Sequence, residues 1–477
     1  MPFICLSCGR GYGEAEGYPY ACRSCGGVLS FRPEDAGDYM TEVGEAGVWR
    51  FRRFIPPLDV RFRISLGEGG TFLHRAERLG RLLGFNELYL KNESTNPSGS
   101  FADRGMAVEV SYALSNGYVK LACFSRGNLG VSAAAYAAKT GLECHVYIPP
   151  QIERGKLYQL IAYEARIAFK ENITRDYVKE LINGGYHFIT PTSPYFLSGL
   201  KTLAYEVMEG FRKDGLDAVV IPVGDGGNIS MFWEAVKEFR ELGFLNRGDE
   251  PRLIAVQSEG CMPVVQAFRR GVNVVKWRKK INTFFQDIAS PNPSMGEYAL
   301  KAIRESKGTA IAVSDEKIID AAKQLAKTEG ILAEPAAAST IAAVKKLKEN
   351  NMLGHGDRVV CIITGSGLKE PVITHPTAKF QHTIATSSRI FDRIGKTKSL
   401  ILKILYENPM HGYGIMKLLR ERYGVVISMP SIYQHLTELT EAGLVEVKPA
   451  VTWRKRKKII YELTIAGRKT AQQISKP

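Results

Sequence analysis

The sequence lacks the features of a membrane, secreted or disordered protein. Its 477 residues contain no run near the roughly 18 apolar residues of a membrane-spanning helix. The N-terminus has no basic segment followed by an apolar run, as a secretory signal would have. A hydrophobic content of 45% and a charged content of 24% are typical of folded globular domains, of which the length predicts about three. We therefore expect a cytoplasmic protein with no membrane partner.

Acidic residues are scarce toward the end of the chain. The whole sequence carries a net charge of +15, and from Arg393 onward 16 Lys or Arg residues stand against 6 Asp or Glu. An excess of ten positive charges in one terminal region favours a domain that binds a polyanion. The alternative is a solvated basic surface that has no such partner.

Half of the eight cysteines are scattered among apolar neighbours, which is typical of core positions in a reducing compartment. These four are Cys123, Cys144, Cys261 and Cys361. The others form two Cys-x2-Cys pairs, each followed by a glycine (Gly9 and Gly26). They are Cys5, Cys8, Cys22 and Cys25. Four thiolates suit a closed, structural Zn²⁺ site, so residues 1–45 are predicted to form a zinc ribbon. A redox-active pair of dithiols is the alternative.

Residues 46–370 alternate short apolar runs with helical patterns. Each run is continuous and rich in branched residues, as expected of strands that are covered on both faces. Such alternation predicts an α/β domain with a mostly parallel sheet between layers of helices. The runs that carry this prediction are Lys120–Phe124, Cys144–Ile148, Ala218–Pro222, Leu253–Val256 and Val359–Ile363.

Five segments of this region match the motifs of one enzyme family, in the family's order. They are Lys91–Met106, Ser125–Lys139, Pro222–Ile229, Glu334–Ser339 and Thr364–Lys369. In these segments, and in an N-terminal zinc ribbon that some members carry, the chain resembles threonine synthases, which are fold-type II enzymes that use pyridoxal phosphate (PLP). The resemblance covers residues 1–370 and implies two subdomains, each built on a parallel sheet.

The loop that opens the helix after one predicted strand has the form of a phosphate site. Backbone amides in such a loop surround an anion at the helix N-terminus. The residues of this loop are Gly224, Asp225, Gly226, Gly227 and Asn228. The resemblance further implies that Asn128 hydrogen-bonds the ring oxygen of PLP and that Thr364 faces the pyridine nitrogen. The alternative for each of these two residues is an ordinary loop cap.

Several positions depart from the family where the chemistry would occur. Ala102 stands where the family has the lysine that forms the Schiff base, and a methyl group can neither form an imine nor carry a proton. The positions that clamp the substrate phosphate hold Phe196, Thr190 and Ser193, and Leu129 replaces a threonine. A phenyl ring cannot hold a dianion. Several losses at one site favour a natural, catalytically degenerate relative over a single engineered Lys-to-Ala change.

Residues 398–477 are predicted to form a separate domain, joined to the rest by a linker over 371–397. Three helical patterns, the third with Ser428 as a cap and Pro430 in its first turn, precede two strands that flank a basic hairpin. The predicted helices lie near 398–407, 412–423 and 428–442, and the predicted strands near 444–448 and 458–463. This order indicates a winged helix-turn-helix, which reads DNA with its third helix.

The same region resembles the PadR-like transcription regulators, notably in Pro409–Ile415 and Pro430–Leu436. We expect the third helix to enter the major groove and the hairpin to grip phosphates. The predicted DNA contacts are Ser431, Gln434 and His435 on the helix, and Arg454, Lys455, Arg456, Lys457 and Lys458 in the hairpin. A winged helix that binds another protein is the alternative.

Together these features predict a ligand-sensing DNA-binding transcription regulator built on a degenerate threonine synthase-like domain. Its expected partners are double-stranded DNA, a second copy of the chain in a homodimer, and a phosphorylated metabolite, an amino acid or PLP. Zn²⁺ is the expected metal, and PLP would bind non-covalently if Ala102 is natural. One alternative is a PLP-dependent threonine synthase or related lyase with an engineered change at position 102, and another is a scaffold with a vestigial pocket.

Overall fold

The computed structural model describes residues 3–13, 21–33, 45–150, 152–246, 248–273, 275–370, 396–453 and 456–475. The chain divides into two compact units, Met1–Thr374 and His375–Pro477. We describe each unit by itself. In the described part of the chain, no helix has both the length and the apolar character needed to cross a membrane.

The N-terminal segment of the first unit is a small antiparallel sheet. Its strands are β1 (Phe3–Cys5), β2 (Gly11–Tyr12) and β3 (Leu29–Phe31), in the order β2-β1-β3. Phe3, Leu29 and Phe31 pack with the sulfur-bearing Cys5 and Cys22. This core is too small to fold unaided, which fits a segment that depends on a metal and on the neighbouring domain.

The larger sheet of the first unit has six strands in the order β12-β11-β10-β13-β5-β4. All pairings are parallel except that of the edge strand β4. The strands are β4 (Leu73–Arg75), β5 (Glu87–Asn92), β10 (Ala218–Pro222), β11 (Arg252–Ser258), β12 (Thr309–Val313) and β13 (Arg358–Ile363). Alternate residues of these strands enter two hydrophobic clusters, one on each face of the sheet.

Helices cover both faces of this larger sheet, as its apolar strands require. One face packs against α1 (Glu77–Leu83), α10 (Asp315–Glu329) and α11 (Pro335–Glu349). The other packs against α6 (Pro194–Gly210), α7 (Gly227–Glu241), α8 (Pro263–Arg270) and α9 (Gly296–Glu305).

The smaller sheet is wholly parallel, in the order β8-β7-β6-β9. Its strands are β6 (Lys120–Phe124), β7 (Glu143–Ile148), β8 (Arg166–Phe169) and β9 (Tyr186–Ile189). The helices beside it are α2 (Ala102–Ser115), α3 (Asn128–Thr140), α4 (Arg154–Ala162) and α5 (Arg175–Asn183). The predicted α/β architecture with two subdomains is confirmed, and the antiparallel β4 makes the larger sheet mixed.

The described residues of the second unit form four helices and a hairpin. They are α12 (Lys396–Glu407), α13 (Gly412–Tyr423), α14 (Met429–Glu441), β14 (Val445–Trp453), β15 (Arg456–Leu463) and α15 (Ile465–Ser475). Ser428 caps α14 and Pro430 lies in its first turn, as predicted. The strands are longer than predicted, because pairing resumes after a β-bulge between Lys448 and Val451. Helix α15 was not predicted; it packs on α12, where Ala471 is fully buried.

Candidate functional site

A cavity of about 580 Å³ opens where strands of the two sheets end. Phe124, Ile189, Pro222 and Thr364 line it, and these residues end or follow β6, β9, β10 and β13. Ligands of α/β proteins bind at this carboxyl edge, because loops and helix N-termini converge there. Every residue predicted to bind the cofactor lines the same cavity, although these residues are far apart in sequence, and so does Ala102 at the position of the Schiff-base lysine. The predicted cofactor-binding residues are Asn128, Gly224, Asp225, Gly226, Gly227, Asn228 and Thr364.

The loop before α7 has the form of an anion cradle. Gly226 has φ +94°, and a Cβ at Gly224 would lie 2.5 Å from the carbonyl oxygen of Asp287, so both positions need glycine. The side-chain nitrogen of Asn228 is buried and has no hydrogen-bond partner among the described residues. An unpaired buried donor at a helix N-terminus fits the phosphate group of PLP.

The side chain of Asp225 has a structural role in this loop. Its carboxylate accepts hydrogen bonds from the hydroxyl groups of Ser290, at 2.9 Å, and Ser294, at 3.1 Å. Its backbone carbonyl accepts from the amide of Met295 at 2.9 Å. The side chain therefore braces the loop against the start of α9, and only the backbone of Asp225 is suited to hold an anion.

Asn128 is held in a fixed orientation by two groups that sequence reasoning missed. Its Oδ1 accepts a hydrogen bond from Lys369 Nζ at 2.7 Å, and its Nδ2 donates to Glu334 Oε2 at 3.1 Å. Lys369 Nζ also lies 3.2 Å from Glu334 Oε1. The second N–H of the amide is then available to the ring oxygen of PLP. The sequence could have pointed to these two residues, because Lys369 and Glu334 both lie in the family motifs named above.

A second lysine lies behind the cavity wall in a cluster of carboxylates. Lys156, which is 1% exposed, forms an ion pair with Asp287, and its Nζ lies 3.3 Å from Glu370 Oε2 and 3.8 Å from Glu334 Oε1. Burial works to lower the pKa of Lys156, but attraction to the three carboxylates raises it above its usual value. An ammonium therefore supplies the positive charge that the acidic cluster requires.

Glu370 is the carboxyl group of that cluster that most readily keeps its proton. Burial raises the pKa of Glu370 to about 8; Asp287 and Glu334 act in the same direction, and Lys156 opposes them. Three carboxylates would otherwise face two ammonium groups, those of Lys156 and Lys369. Retention of a proton by Glu370 at neutral pH balances the cluster.

Ala102 begins α2 at the cavity wall and is 3% exposed. The two residues after it are firmly anchored. Asp103 accepts hydrogen bonds from Ser98 at 2.6 and 2.7 Å, and Arg104 pairs with Glu93 at 2.6 Å and with Glu206 at 2.7 Å. The start of α2 is therefore fixed, while the residue that faces the cavity carries no group able to react.

The positions that the resemblance assigns to a substrate phosphate have other roles in this structure. Ser193 caps α6, and its hydroxyl donates to Glu109. The hydroxyl groups of Thr190 and Thr192 lie 3.1 Å apart. Phe196 is 4% exposed and lines the cavity, and its amide donates to Glu109 at 2.9 Å. These contacts build the helix start and leave an apolar cavity surface.

The four N-terminal cysteines converge as predicted. Their sulfur atoms all lie within 4.8 Å of one another, with 3.5 Å between those of Cys5 and Cys25 and 3.7 Å between those of Cys8 and Cys22. The glycines after each pair have φ near +70°, the conformation that the tight turn requires. Four thiol groups at this spacing can hold one tetrahedral metal ion.

The predicted DNA-contacting residues of α14 differ in exposure. Gln434 is exposed and donates to Glu438 Oε1 at 3.2 Å. Ser431 and His435 are half-buried; Ser431 Oγ lies 2.9 Å from Ser428 Oγ, and His435 Nδ1 lies 3.8 Å from Glu438 Oε2. Of these three side chains, that of Gln434 is the exposed one. Tyr433 is also exposed on the same helix, at 44%.

The structure describes only part of the basic hairpin. Arg454 and Lys455 lie outside the described residues, and for Arg456, Lys457 and Lys458 the structure describes the backbone of β15. Residues 453 and 456 are paired across the hairpin.

The fold and the cavity together define an α/β protein of fold-type II, with a winged-helix domain after it. Residues 64–365 match the sequence model described as "Pyridoxal-phosphate dependent enzyme", and residues 401–473 match "Transcriptional regulator PadR-like family". The chain therefore belongs to the pyridoxal-phosphate dependent enzyme family, and it carries a C-terminal PadR-like domain.

Similar proteins extend over most of the first unit. The chain is 40% identical to a threonine synthase of Methanocaldococcus jannaschii over 378 residues, which cover 77% of this chain and 92% of the relative. It is 34% identical to a threonine synthase of Methanosarcina acetivorans, over 83% and 99% of the two chains. The solved structure of maize serine racemase matches with a TM-score of 0.55 at 20% identity, over 67% and 94% of the two chains, and supports the fold alone.

Proposed function

We propose that the chain is a cytoplasmic transcription regulator in which a threonine synthase-like domain senses a small molecule and a PadR-like domain binds DNA. The observation that carries the proposal is Ala102, whose methyl group stands at the cavity wall where the family resemblance places the Schiff-base lysine. The altered phosphate-clamp positions support it, because a single lost lysine would not explain Phe196.

PLP binds this cavity non-covalently. The amides of Gly224–Asn228 and the buried side-chain nitrogen of Asn228 would hold its phosphate. The family resemblance implies that Asn128 would donate to its ring oxygen and that Thr364 would face its ring nitrogen. When bound, PLP supplies an aldehyde and an electron-withdrawing ring. Lys369 and Glu334 orient Asn128 toward it. Ala102 offers no amine, so the protein retains the cofactor by contacts alone.

The four-cysteine cluster holds one structural Zn²⁺ per chain. Its four ligands leave no open coordination position for catalysis. The ribbon also docks on the larger subdomain, since Tyr298 Oη lies 2.6 Å from Ser7 Oγ and Lys201 donates to the carbonyl of Phe31 at 2.8 Å. Protein prepared without chelators will contain one zinc per chain; protein with no metal contradicts this assignment.

DNA binding follows the winged-helix geometry. The chain binds as a two-fold dimer, so its site is a palindrome whose half-sites are one or two helical turns apart. Helix α14 reads bases through Gln434, with Ser431 and His435 beside it, and the basic hairpin contacts phosphates. Affinity falls steeply with salt, because bound lysines and arginines release counterions from the duplex.

Borohydride reduction tests the loss of covalent chemistry. Full-length protein is saturated with PLP and reduced, and its intact mass is then measured by mass spectrometry. The expected mass is that of the unmodified chain, since position 102 has no amine. A stoichiometric adduct would overturn the non-covalent site. In parallel, failure of the full chain to bind any duplex at low salt would reject the regulator.

The second candidate function is a threonine synthase or related lyase whose lysine was replaced at position 102. Two observations favour it. The relatives named above are threonine synthases, and the framework of Asp103, Arg104 and Lys369 is intact and buried. Robust formation of threonine from O-phosphohomoserine by Ala102→Lys would favour the enzyme over the regulator.

A further inference from the structure

One stretch of the first unit concentrates its positive charge. Residues 260–286 contain six Lys or Arg residues and no Asp or Glu. Of the net charge of +15, ten lies from Arg393 onward, so residues 1–392 carry +5 together, and this stretch alone supplies +6. We call its six cationic residues the basic patch. They are Arg269, Arg270, Lys276, Arg278, Lys279 and Lys280.

The side chains of the basic patch are solvent-exposed, and none of the six forms an ion pair with a carboxylate of the described residues. Other cations at the ends of the larger sheet are neutralised. Arg252 lies 3.0 Å from Asp357. Arg358 lies 2.6 Å from Glu87. A surface that mixes both signs neutralises itself, whereas one that carries positive charge alone attracts a polyanion.

The middle of the basic patch is fixed by the fold beneath it. Trp277 is 7% exposed, and its amide donates to the carbonyl of Pro291 at 2.8 Å. The amide of Asn282 donates to the carbonyl of Gly260 at 3.1 Å. The exposed cations on both sides of Trp277 are therefore presented from a fixed backbone, so less conformational entropy is lost when they bind a partner.

The exposed position of the basic patch favours an extended polyanion over a small anion. None of its residues lines the PLP cavity. A DNA duplex offers one negative charge per roughly 1.7 Å of its axis. The PadR-like domain in the same chain would hold such a duplex near the first unit, and this raises the effective concentration for any further contact. Even weak phosphate contacts of the basic patch would then add to the affinity.

We propose that the basic patch is a second DNA contact, which holds the phosphate backbone of duplex DNA without reading its sequence. Its lysines and arginines pair with phosphate oxygens and displace the counterions of the duplex. The inference rests on the proposed function and deepens it, because it assigns part of the DNA affinity to the domain that contains the ligand cavity.

Titration of the full chain with a duplex of about 40 base pairs and arbitrary sequence, at several KCl concentrations, tests the proposal. The variant carries Arg278→Gln, Lys279→Gln and Lys280→Gln. We expect it to bind at least tenfold more weakly than the wild type at about 0.1 M KCl. The slope of log K against log salt should fall by up to about 0.9 for each lost phosphate contact. Unchanged affinity and slope would overturn the proposal.

A charge-retaining variant separates the charge of the basic patch from its shape. It carries Arg278→Lys, Lys279→Arg and Lys280→Arg. Because phosphate contacts that read no sequence depend mainly on charge, we expect affinity within about twofold of the wild type and the same salt slope. A loss as large as that of the glutamine variant would contradict a charge-based contact.

The matched control removes the same number of charges elsewhere on the first unit. It carries Arg175→Gln, Lys213→Gln and Lys317→Gln, at positions that are likewise exposed. We expect less than a threefold loss of affinity. Equal losses in this control and in the patch variant would overturn the proposal, because general attraction would then explain both. Loss of binding to phosphatidylglycerol vesicles with wild-type DNA binding would overturn it in favour of a membrane surface.

The outcome is separable from that of the proposed function, which is probed by neutralising the basic hairpin of the second unit. If the hairpin variant binds duplex as the wild type does and the patch variant does not, the winged helix is rejected as the DNA reader and the basic patch is kept. If the hairpin variant loses affinity and the patch variant does not, the regulator stands and the basic patch alone is rejected.

Discussion

The buried anchor of α2 and the cavity surface beside it differ in what they keep of the family motif. In the anchor, Asp103 and Arg104 match the family and are 0% exposed with buried partners. On the surface, Ala102 and Phe196 depart from it. The anchor residues cannot change without leaving a charge unpaired in the interior, whereas a cavity-facing lysine can be lost at little cost to the fold. A site can therefore lose its chemistry while its scaffold persists.

The largest expected effect comes from breaking the anchor. Arg104→Ala leaves Glu93 and Glu206 buried without their partner and should lower the free energy of unfolding of the first unit by about 3–5 kcal/mol. Burial works to raise the pKa of Glu206, but Arg104 and Lys91 hold it at about 2, which indicates how firmly the charges are coupled. Denaturant-induced unfolding measures the loss.

Arg61→Ala provides the comparison for this prediction. Arg61 pairs with Asp59 at 2.6 Å, but its side chain is 77% exposed, so its removal should cost no more than about 1 kcal/mol. If the two substitutions destabilise the protein equally, burial of the α2 anchor does not explain why its residues are kept.

The next effect is a pH dependence of stability that comes from Glu370. Its folded pKa of about 8 lies above the ordinary value of 4.5, so the native state binds the extra proton between these values. Stability is therefore full below about pH 4.5 and is lost as the pH rises toward 8, by on the order of 1 kcal/mol per pH unit at most. Glu370→Gln, which mimics the protonated form, should match the wild type at pH 5 and exceed it at pH 8.

The control for the pH series is Glu180→Gln, because Glu180 is exposed on α5. Its unfolding curves should follow those of the wild type at both pH values. If the wild type and Glu370→Gln show the same pH dependence, the carboxylate cluster behind the cavity is not the source of the change.

The second unit offers a similar comparison, between residues predicted to contact phosphates and a residue predicted to contact bases. Replacing Arg454, Lys455 and Arg456 together by glutamine should weaken binding to all duplexes about equally and reduce the slope of log K against log salt by up to about 0.9 for each lost phosphate contact. Gln434→Ala should instead change sequence preference, by about 1–3 kcal/mol for a lost base contact. Titrations at several salt concentrations, on two duplexes, distinguish them. If the salt dependence is unchanged after these three hairpin residues are replaced, a winged helix that binds another protein is favoured.

The local elements were largely predictable from sequence. The strand Lys120–Phe124 was predicted with the observed bounds, because a short apolar run between turn residues has few other solutions. The cap at Ser428 and the glycine turns after the cysteines followed from residue types alone. The antiparallel edge strand β4 was not predicted, since its three residues carry no pattern.

The arrangement behind the cavity was not predictable in this way. Lys369 and Asn128 are 241 positions apart, and Lys156 and Asp287 are 131 apart. No periodicity links such pairs; the topology of two sheets brings them together. Asp225 shows the converse, because its place in the cradle motif suggested a ligand contact, whereas its side chain braces Ser290 and Ser294.

The smallest expected change in stability comes from restoring the family lysine. Ala102 lines a cavity of about 580 Å³, which offers space for the longer side chain introduced by Ala102→Lys. We expect the free energy of unfolding to stay within about 0.5 kcal/mol of the wild type. The variant should gain a borohydride-reducible link to PLP, because an amine then stands at the family position. It should still form little threonine from O-phosphohomoserine, since Phe196 and Leu129 leave the substrate phosphate without a partner. A covalent link without turnover would separate loss of the anchor lysine from loss of the phosphate clamp, whereas full turnover would show that Ala102 alone silences an enzyme.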